Sequence, residues 1–448
     1  MDFSTRALLR LAWPIILARM SQVVVGLCDA AMTAPLGRDA LAATTAGSIN
    51  VFTVVIFPMG IVLIAQSFSS QYSGKGDMRT ATRFAWYGLI VAAASEILAL
   101  ICYPAVAPAV SLFHYEAGVR ELMTPYLQYR LLGVGAIVGV EALGNWYGGT
   151  GDTRTHMRAS LCGMVLNVFL NWVFIYGNWG MPALGVEGAA IASTLASVGA
   201  FLYIATRFAL DRKVPSNPRR LGLKRSEFQR YIRFGLPNGV IWFLEFAAIS
   251  LFINVVVADL GTSTLAAMMV VFNINSVSFM PGFGLASAGA ILAGQAIGSG
   301  NSDLVPTILR RTTTAAIVWE GAVGICYVLF PSFLLSLFAP NDESSGEFLS
   351  IGVVLLMMSA AWQVFDAIGM TTGEVLRAAG DTAWAMYARI AVAWLWFAPL
   401  SFVFVRILGG DHVVAMLTLI AFLAMLALVL QIRFRSGKWR EIDITSDS

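Results

Sequence analysis

The residues of this chain that could do chemistry in an unusual place are seven carboxylates inside long apolar stretches. An ionisable side chain in a hydrocarbon environment is costly, so each of them is a candidate for function by default. The seven are Asp29, Glu96, Glu141, Glu245, Glu320, Asp366 and Glu374.

Three of these carboxylates are the strongest candidates for a functional role because of their positions in the apolar segments. Asp29 lies in the outer half of the first apolar segment, Glu245 near the middle of the seventh, and Asp366 in the middle of the tenth. A buried carboxylate with amide or hydroxyl neighbours can hold Na⁺ through oxygen ligands. It can instead take up a proton, since burial disfavours its charged form. We therefore predict cation coupling at Asp29, Glu245 and Asp366, with Na⁺ possible at Asp29 or at Glu245 together with Asp366.

Two asparagines could complete the first of these sites. Asn167 and Asn171 are one helical turn apart on the fifth segment, and could form an oxygen cage around Asp29 if the two helices touch. The alternative is that they serve only as interhelical hydrogen-bonding groups, a common use of polar residues in membrane bundles.

Other side chains near the acids are candidates for binding a substrate. Gln22 lies two turns before Asp29, and Asn238 lies two turns before Glu245 on the same helix face. Trp242 and Trp362 come shortly before Glu245 and Asp366 and could offer cation–π surfaces to an organic cation. These are four predicted substrate-binding residues.

The remaining carboxylates have weaker claims. Glu96 and Glu320 are 224 residues apart at matched positions of an internal repeat, which favours a shared structural role or cavity lining over an ion site. Glu141 and Glu374 lie within about two turns of Gly-Asp-Thr turns and could pair with arginines.

The elements that position these residues are membrane helices. The chain of 448 residues is 58% hydrophobic and only 12% charged, too apolar for a soluble fold to hide. Twelve segments are long enough to cross a bilayer as helices. They lie near 11–34, 46–70, 84–112, 124–149, 157–177, 185–209, 231–257, 263–293, 308–338, 349–374, 384–408 and 412–434. The predicted fold class is an all-α membrane protein.

The distribution of Lys and Arg predicts the topology. With the N-terminus in the cytoplasm, 24 of the 29 basic residues fall on the cytoplasmic side and 4 on the other, with Arg19 inside the first segment. This is the positive-inside asymmetry, and it predicts an even number of helices with both termini cytoplasmic. The basic residues therefore report topology, and we expect no nucleic-acid partner.

An internal repeat divides the chain into two halves. Four motifs of the first half recur in the same order in the second, at offsets of 223, 224, 224 and 229 residues. They are Arg10 to Pro14 with Arg233 to Pro237, Gly37 to Ala43 with Gly261 to Ala267, Gln71 to Gly76 with Gln295 to Gly300, and Gly151-Asp152-Thr153 with Gly380-Asp381-Thr382. Two homologous six-helix bundles (6+6) are typical of transporters that work by alternating access. We predict an N-terminal lobe over 1–210, a cytoplasmic linker over 211–229, and a C-terminal lobe with a short tail over 230–448.

Several function classes lack support. The sequence has neither a nucleophile–base constellation nor a phosphate-binding Gly-Lys loop, so we expect neither an enzyme nor an ATP-driven pump. We expect no cofactor beyond a coupling ion, Na⁺ or H⁺. The expected partners are the lipid bilayer and small organic cations, and we expect a monomer.

Taken in order, the motifs resemble those of the multidrug and toxic compound extrusion (MATE) family over nearly the whole chain. In the first half they are Pro14, Asp29-Ala30-Ala31-Met32, Gly37, Leu41-Ala42-Ala43, Gly151-Asp152-Thr153, and Asn167 to Gly188. In the second half they are Leu236-Pro237-Asn238-Gly239 with Glu245, Gly261 to Ala267, and Asp366 to Thr382.

The resemblance implies an exporter of cationic amphipathic drugs in the bacterial inner membrane, driven by Na⁺ or H⁺ entry. Asp29 matches the acidic residue of helix one used widely in the family, and Glu245 with Asp366 matches the acidic pair of the NorM-like branch. The DinF-like branch tends to have a second acid where this chain has Asn171. Ser193 matches a hydroxyl position near the first-lobe cation site. The alternative is a lipid-linked oligosaccharide or lipid flippase of the same superfamily, which usually lines its cavity with basic residues.

Overall fold

The computed structural model describes residues 2–113, 115–211, 221–338 and 345–446, and it is helical with no β-strand in these ranges. The α-helices of the first half are α1 Thr5–Thr33, α2 Arg38–Val62, α3 Ile64–Gly74, α4 Met78–Cys102, α5 Val106–Ser111, α6 Ala117–Leu131, α7 Val134–Gly149, α8 Thr153–Tyr176 and α9 Gly185–Leu210. Those of the second half are α10 Arg225–Leu251, α11 Thr262–Gly298, α12 Val305–Leu329, α13 Pro331–Ser336, α14 Ser345–Ala379, α15 Thr382–Ile390, α16 Ala398–Phe402 and α17 His412–Arg435. Short π-helical stretches cover Phe252–Val257, Ala391–Phe397 and Val403–Ile407.

Within the described residues, 11 helical stretches are long and apolar enough to cross a membrane. They coincide with eleven of the twelve predicted segments, and the chain is a multi-pass membrane protein of all-helical fold. The fourth predicted segment, 124–149, is not one helix, because α6 ends at Leu131 and α7 begins at Val134. The break occurs at Gly133, where a side chain would press on Thr194 of α9. The hydropathy of the segment did not reveal this interruption.

The chain divides into two compact units, which we call the N-unit (residues 17–239) and the C-unit (residues 2–16 and 240–446). Helices α1 and α10 each contribute their first part to one unit and their second part to the other. The predicted linker, 211–229, lies in part (212–220) outside the described residues, and so do the last two residues of the predicted C-terminal lobe.

Packing inside the N-unit centres on the pairs α8 with α9, α4 with α7, and α2 with α6. A buried aromatic cluster helps to join them: the rings of Phe68 and Phe84 stack with centroids 4.1 Å apart, and Tyr231 of α10 packs against both. Helix α2 contains Pro58 and ends at Val62.

Inside the C-unit, α14 is the central helix and packs against α11, α12 and α17. Helix α11 runs without a break over Thr262–Gly298 and contains Pro281. The matching stretch of the N-unit is divided at Leu63 into α2 and α3, although Leu63 itself keeps helical dihedral angles.

Candidate functional site

In the N-unit, the side chain of Asp29 lies at the meeting point of α1, α8 and α9. The amide of Asn171 donates to Asp29 Oδ1 at 2.5 Å, and the hydroxyl of Ser193 donates to Asp29 Oδ2 at 3.1 Å. Asn167 donates to Ser193 Oγ at 3.0 Å and accepts from Asn171 at 3.3 Å. All four residues are buried. The structure thus brings together four of the six residues that were predicted to couple a cation; we call them the Asp29 cluster.

The Asp29 cluster is rich in oxygen. It contains both carboxylate oxygens of Asp29, the amide oxygens of Asn167 and Asn171, and the hydroxyl of Ser193. The amide oxygen of Asn171 is buried, with no hydrogen-bond partner among the residues that the structure describes. A half-turn of this amide would exchange its nitrogen and oxygen and bring the oxygen toward Asp29. Such a set of oxygens fits a hard cation such as Na⁺, and the carboxylate alone fits a proton.

A positive side chain that sequence reasoning missed lies near the Asp29 cluster. Arg130, in the last turn of α6, is close enough to Asp29 to interact with it electrostatically. Its Nε and Nη1 atoms are buried without a hydrogen-bond partner in the described part of the chain. The charge count had placed Arg130 among the 4 basic residues on the external side of the membrane. An end position alone cannot tell an arginine that faces water from one that turns inward.

A second charged group of the N-unit is an ion pair. Arg19 of α1 donates from Nη1 and Nη2 to the two oxygens of Glu141 on α7, at 3.0 Å each. Gln22 donates to Glu141 Oε1 at 3.2 Å, and the imidazole of His156 lies 3.9 Å from the same oxygen. The structure therefore gives Gln22, a predicted substrate-binding residue, an internal partner. It also places His156 in the group, a residue that was not among the predicted site residues.

In the C-unit, Glu245 is bound by an arginine. Arg389 Nη1 lies 2.8 Å from Oε1 and 3.1 Å from Oε2 of Glu245. The guanidinium passes so close to Gly373 of α14 that a methyl group there would collide with it. Arg389 had been counted only for the charge asymmetry of the connections, so its pairing with a predicted coupling residue was not expected.

The second acid predicted in this unit, Asp366, is partly buried on α14 and interacts electrostatically with Arg389 and Glu245. A third carboxylate, Glu320 of α12, interacts electrostatically with Asp366. Glu320 is 1% exposed, and neither of its oxygens has a hydrogen-bond partner within the described ranges. The structure thus adds Glu320 to the acidic pair that was predicted from sequence.

The other predicted substrate-binding residues are placed as follows. Trp362 is buried and stacks on Phe272 with ring centroids 6.1 Å apart, and Trp242 meets the ring of Phe283 edge to face at 6.3 Å. Asn238 is buried and donates to the carbonyl of Phe234 in its own helix, at 3.4 Å. Their role in substrate binding stays a prediction.

The two remaining carboxylates have donors. Glu96 accepts a hydrogen bond of 2.6 Å from the backbone amide of Gly135, and Glu374 pairs with Arg377 at 2.5 Å, one turn along α14. Among the described residues, no group of three or more His, Cys, Asp or Glu side chains is arranged to hold a metal ion.

Comparison with known proteins gives one family and several relatives. The model of the MatE family matches residues 14–173 and 240–403. A probable multidrug resistance protein NorM of Thermotoga maritima is 27% identical over 446 residues, which covers 97% of this chain and 93% of the relative. A protein of the same name from Pseudomonas putida is 27% identical, over 91% of this chain and 89% of its own length.

Solved structures share the fold over the whole chain. A MOP superfamily transporter from Pyrococcus furiosus, whose description states that reverse polarity of its binding pocket suggests a different function, superposes with a TM-score of 0.91. It is 22% identical, over 99% of this chain and 98% of its own. A multidrug resistance MATE family transporter of the same superfamily, in an outward-facing conformation, has a TM-score of 0.87 at 23% identity, over 99% and 98% of the two chains.

Proposed function

This chain belongs to the MatE family, and we propose that it exports cationic amphipathic drugs or toxins in exchange for Na⁺ or H⁺. Two observations support drug export. The relatives that align over nearly their full length are named as multidrug resistance proteins. The carboxylates within the membrane-spanning helices would attract positively charged compounds.

The observation that carries the proposal is the Asp29 cluster. A buried carboxylate is stable only when its charge is compensated, and Asp29 is held by one amide and one hydroxyl. These donors leave room for a cation or a proton to complete the compensation. Because the cluster ties α1 to α8 and α9, arrival or departure of the cation changes the forces that hold three helices together.

Coupling of ion binding to a conformational change requires such a link between the charge on Asp29 and the packing of the helices. In the structure, Asn171 and Ser193 donate to the carboxylate. A bound Na⁺ would instead take oxygens from the same side chains, and a bound proton would turn one carboxylate oxygen into a donor. Either event reorients the polar groups between the helices. Alternating access then follows if the arrangements of these polar groups with and without the bound cation or proton favour openings toward different sides of the membrane.

The finer topology belongs to the same proposal. We place twelve helices in two six-helix bundles with both termini in the cytoplasm, and we take the broken pair α6 and α7 together as the fourth crossing. The lobes are 1–210 and 230–448, joined by the linker 211–229. The protein would act as a monomer in the bacterial inner membrane. The charge asymmetry of the connections supports this orientation.

The ion pairs formed by three arginines argue against the alternative function, a lipid-linked oligosaccharide or lipid flippase. A cavity for phosphate needs guanidinium groups that are available to the ligand. Arg19, Arg377 and Arg389 are each bound to a glutamate inside their own unit. These three guanidinium groups are therefore compensated by glutamates and less available to a phosphate.

The proposal is tested by dye efflux from vesicles that contain the purified protein, with Na⁺ and H⁺ gradients imposed separately. The wild type should move a fluorescent lipophilic cation against its gradient under at least one of them. Asp29→Asn should lower this rate by about tenfold or more, because the amide cannot carry the exchanging charge. Absence of cation transport under both gradients would exclude the proposed function.

A matched control is available in the same unit. Asp77 caps the first turn of α4 by accepting from the backbone amide of Thr80, and an asparagine can serve the same cap. Asp77→Asn removes one negative charge outside the spans and should leave efflux close to the wild-type rate. An equal loss in both variants would show that the effect of Asp29→Asn is not specific to the cluster.

A further inference from the structure

Glu320 is the one acid of the repeat-matched pair that the structure leaves without a donor. Its side chain on α12 is 1% exposed, and both carboxylate oxygens lack a hydrogen-bond partner among the described residues. Its counterpart, Glu96, accepts from the backbone amide of Gly135. An ionised carboxylate in the position of Glu320 would be buried and uncompensated, which is strongly unfavourable.

Helix register places Glu320 close to the level of Asp366. Thr313 of α12 contacts Thr371 of α14 through their hydroxyls at 2.8 Å, and Gly324 of α12 packs against Ala360. The helices run in opposite directions, so these contacts set Glu320 opposite Val364, two residues or about 3 Å along the axis from Asp366. The electrostatic interaction between the two carboxyl groups agrees with this register.

Helix α11 is the third helix at this site, beside α12 and α14. Gly282 lies so close to Glu320 Oε1 that a methyl group there would overlap the carboxylate. One turn earlier on α11, Ser278 donates to Gln363 of α14 at 2.8 Å. Helices α11 and α14 run parallel with an offset near 84 residues, as the pair Asn275 and Ser359 also indicates. Gly282 and Asp366 are separated by the same offset, so three helices meet at Glu320.

Nearby polar groups are already engaged with one another. Gln363 donates to Asn275 Oδ1 at 2.7 Å, and the indole of Trp319 donates to the carbonyl of Ser278 at 3.1 Å. This network closes on itself one turn away from Glu320, and the glycine beside the carboxylate has no side chain to offer. A sodium ion needs several oxygen ligands, whereas a proton needs only one. The surroundings of Glu320 favour a proton.

The charges around the site lead to the same conclusion. In this part of the C-unit Arg389 binds Glu245 and interacts with Asp366, whereas the recorded partner of Glu320 is Asp366. Arg389 is bound to Glu245, so it compensates that carboxylate first. Tyr327, on the same helix as Glu320, directs its hydroxyl to the carbonyl of Ile274 and supplies no charge.

We propose that Glu320 carries a proton next to Asp366 and that this pair is the proton-binding site of the C-unit, separate from both the Asp29 cluster and the Arg389-bound Glu245. Deprotonation returns H⁺ to water and leaves a carboxylate, and the charge of an arriving organic cation would compensate it. The role in transport rests on the proposed export function, while the presence of the proton does not.

Infrared spectroscopy of the purified full-length protein at neutral pH tests the proton directly. A protonated carboxyl group has a carbonyl stretch that is distinct from that of a carboxylate and shifts on exchange into D₂O. The wild-type spectrum should lose such a band in Glu320→Gln, which keeps the shape of the side chain. The matched control, Glu96→Gln, should retain it. A band of unchanged intensity in Glu320→Gln overturns the proposal.

A second variant keeps the test decisive if Glu320→Gln does not fold. Asp366→Asn changes the neighbour of the protonated group, so the band should remain but move in frequency, and an unmoved band overturns the proposal. Dye efflux is measured in parallel. Proton-driven efflux should fall at least tenfold in Glu320→Gln and not in Glu96→Gln. If the wild type exports no dye at all, the export function has failed, while the infrared result still decides the protonation of Glu320.

Discussion

The two units of this protein have related sequences but treat their buried acids in different ways. In the N-unit, Asp29 accepts hydrogen bonds from two neutral side chains, Asn171 and Ser193, and Arg130 lies close enough to interact with it electrostatically. In the C-unit, Glu245 is bound by a guanidinium, and Glu320 has no donor among the described residues. Neutral oxygen-containing neighbours leave a carboxylate free to exchange one cation for another. A guanidinium neighbour already compensates the charge of the carboxylate that it binds.

The matched motifs show the same divergence at a smaller scale. Asp152 of the first Gly-Asp-Thr turn caps α8 by accepting from the backbone and hydroxyl of Thr155. Asp381 of the second turn forms no such cap and instead pairs with Arg433 of α17 through two hydrogen bonds. A repeat therefore preserves the path of the chain, while the tasks of its polar residues are free to change.

The largest expected effect is on stability and concerns one arginine–glutamate ion pair in each unit. Arg19→Leu leaves Glu141 as an unpaired buried carboxylate and should lower the free energy of unfolding by about 3 to 5 kcal/mol. Arg389→Leu should cost less, about 1.5 to 3 kcal/mol, because its pair with Glu245 is more exposed. Detergent- or heat-induced unfolding measures both. The exposed pair of Arg440 with Asp303 is the control, and Arg440→Leu should change little. Equal losses for all three would contradict the ranking by burial.

The two Gly-Asp-Thr turns give the next contrast. Asp381→Ala removes the partner of Arg433 and should destabilise the protein by about 2 to 3 kcal/mol. Asp152→Ala removes a helix cap and should cost about 1 kcal/mol. Unfolding of the purified variants under identical conditions compares them. If Asp152→Ala is the more damaging change, the two turns do not have the different roles that their contacts indicate.

Within the Asp29 cluster, removal of a donor should weaken binding of the coupling ion more when the hydrogen bond of that donor to the carboxylate is shorter. Asn171→Ala removes the shorter hydrogen bond to Asp29 and should raise the coupling-ion concentration for half-maximal efflux by roughly tenfold, equivalent to about 1.4 kcal/mol. Ser193→Ala should raise it only about threefold, because its hydrogen bond is longer. Titration of efflux with the driving ion gives both values. A larger effect at Ser193 would argue against direct participation of Asn171.

The last comparison concerns the glycines beside the matched glutamates. A methyl group at Gly282 meets only the end of the Glu320 side chain, which can move aside, so Gly282→Ala should cost about 1 kcal/mol. A methyl group at Gly135 meets Glu96 Cβ and the backbone oxygen of Ala92, so Gly135→Ala should cost about 2 kcal/mol. Only Gly282→Ala should shift the infrared band assigned to Glu320. A shift in Gly135→Ala instead would reassign the band to Glu96.

Much of the first site could be anticipated because its residues follow a local rule. Asn167 and Asn171 are one helical turn apart, so they had to lie on one face of α8, and only the contact between α8 and α1 remained to be established. Ser193 carries no such signal of its own and entered only through the family resemblance. The partners of Glu245 and Glu141 were harder to find, since Arg389 and Arg19 lie 144 and 122 residues away along the chain.

The sequence by itself determined that the chain crosses the membrane many times, that it repeats, and which carboxylates lie in apolar surroundings. Composition and periodicity are local properties, and a bilayer acts on them directly. Only the tertiary structure decided which acids are compensated. The long side chains of Arg19 and Arg389 can turn toward any of several neighbours, and the approach of α11 at Gly282 decides whether Glu320 meets a donor. Compensation depends on distances between helices, and these are set by packing across the whole unit.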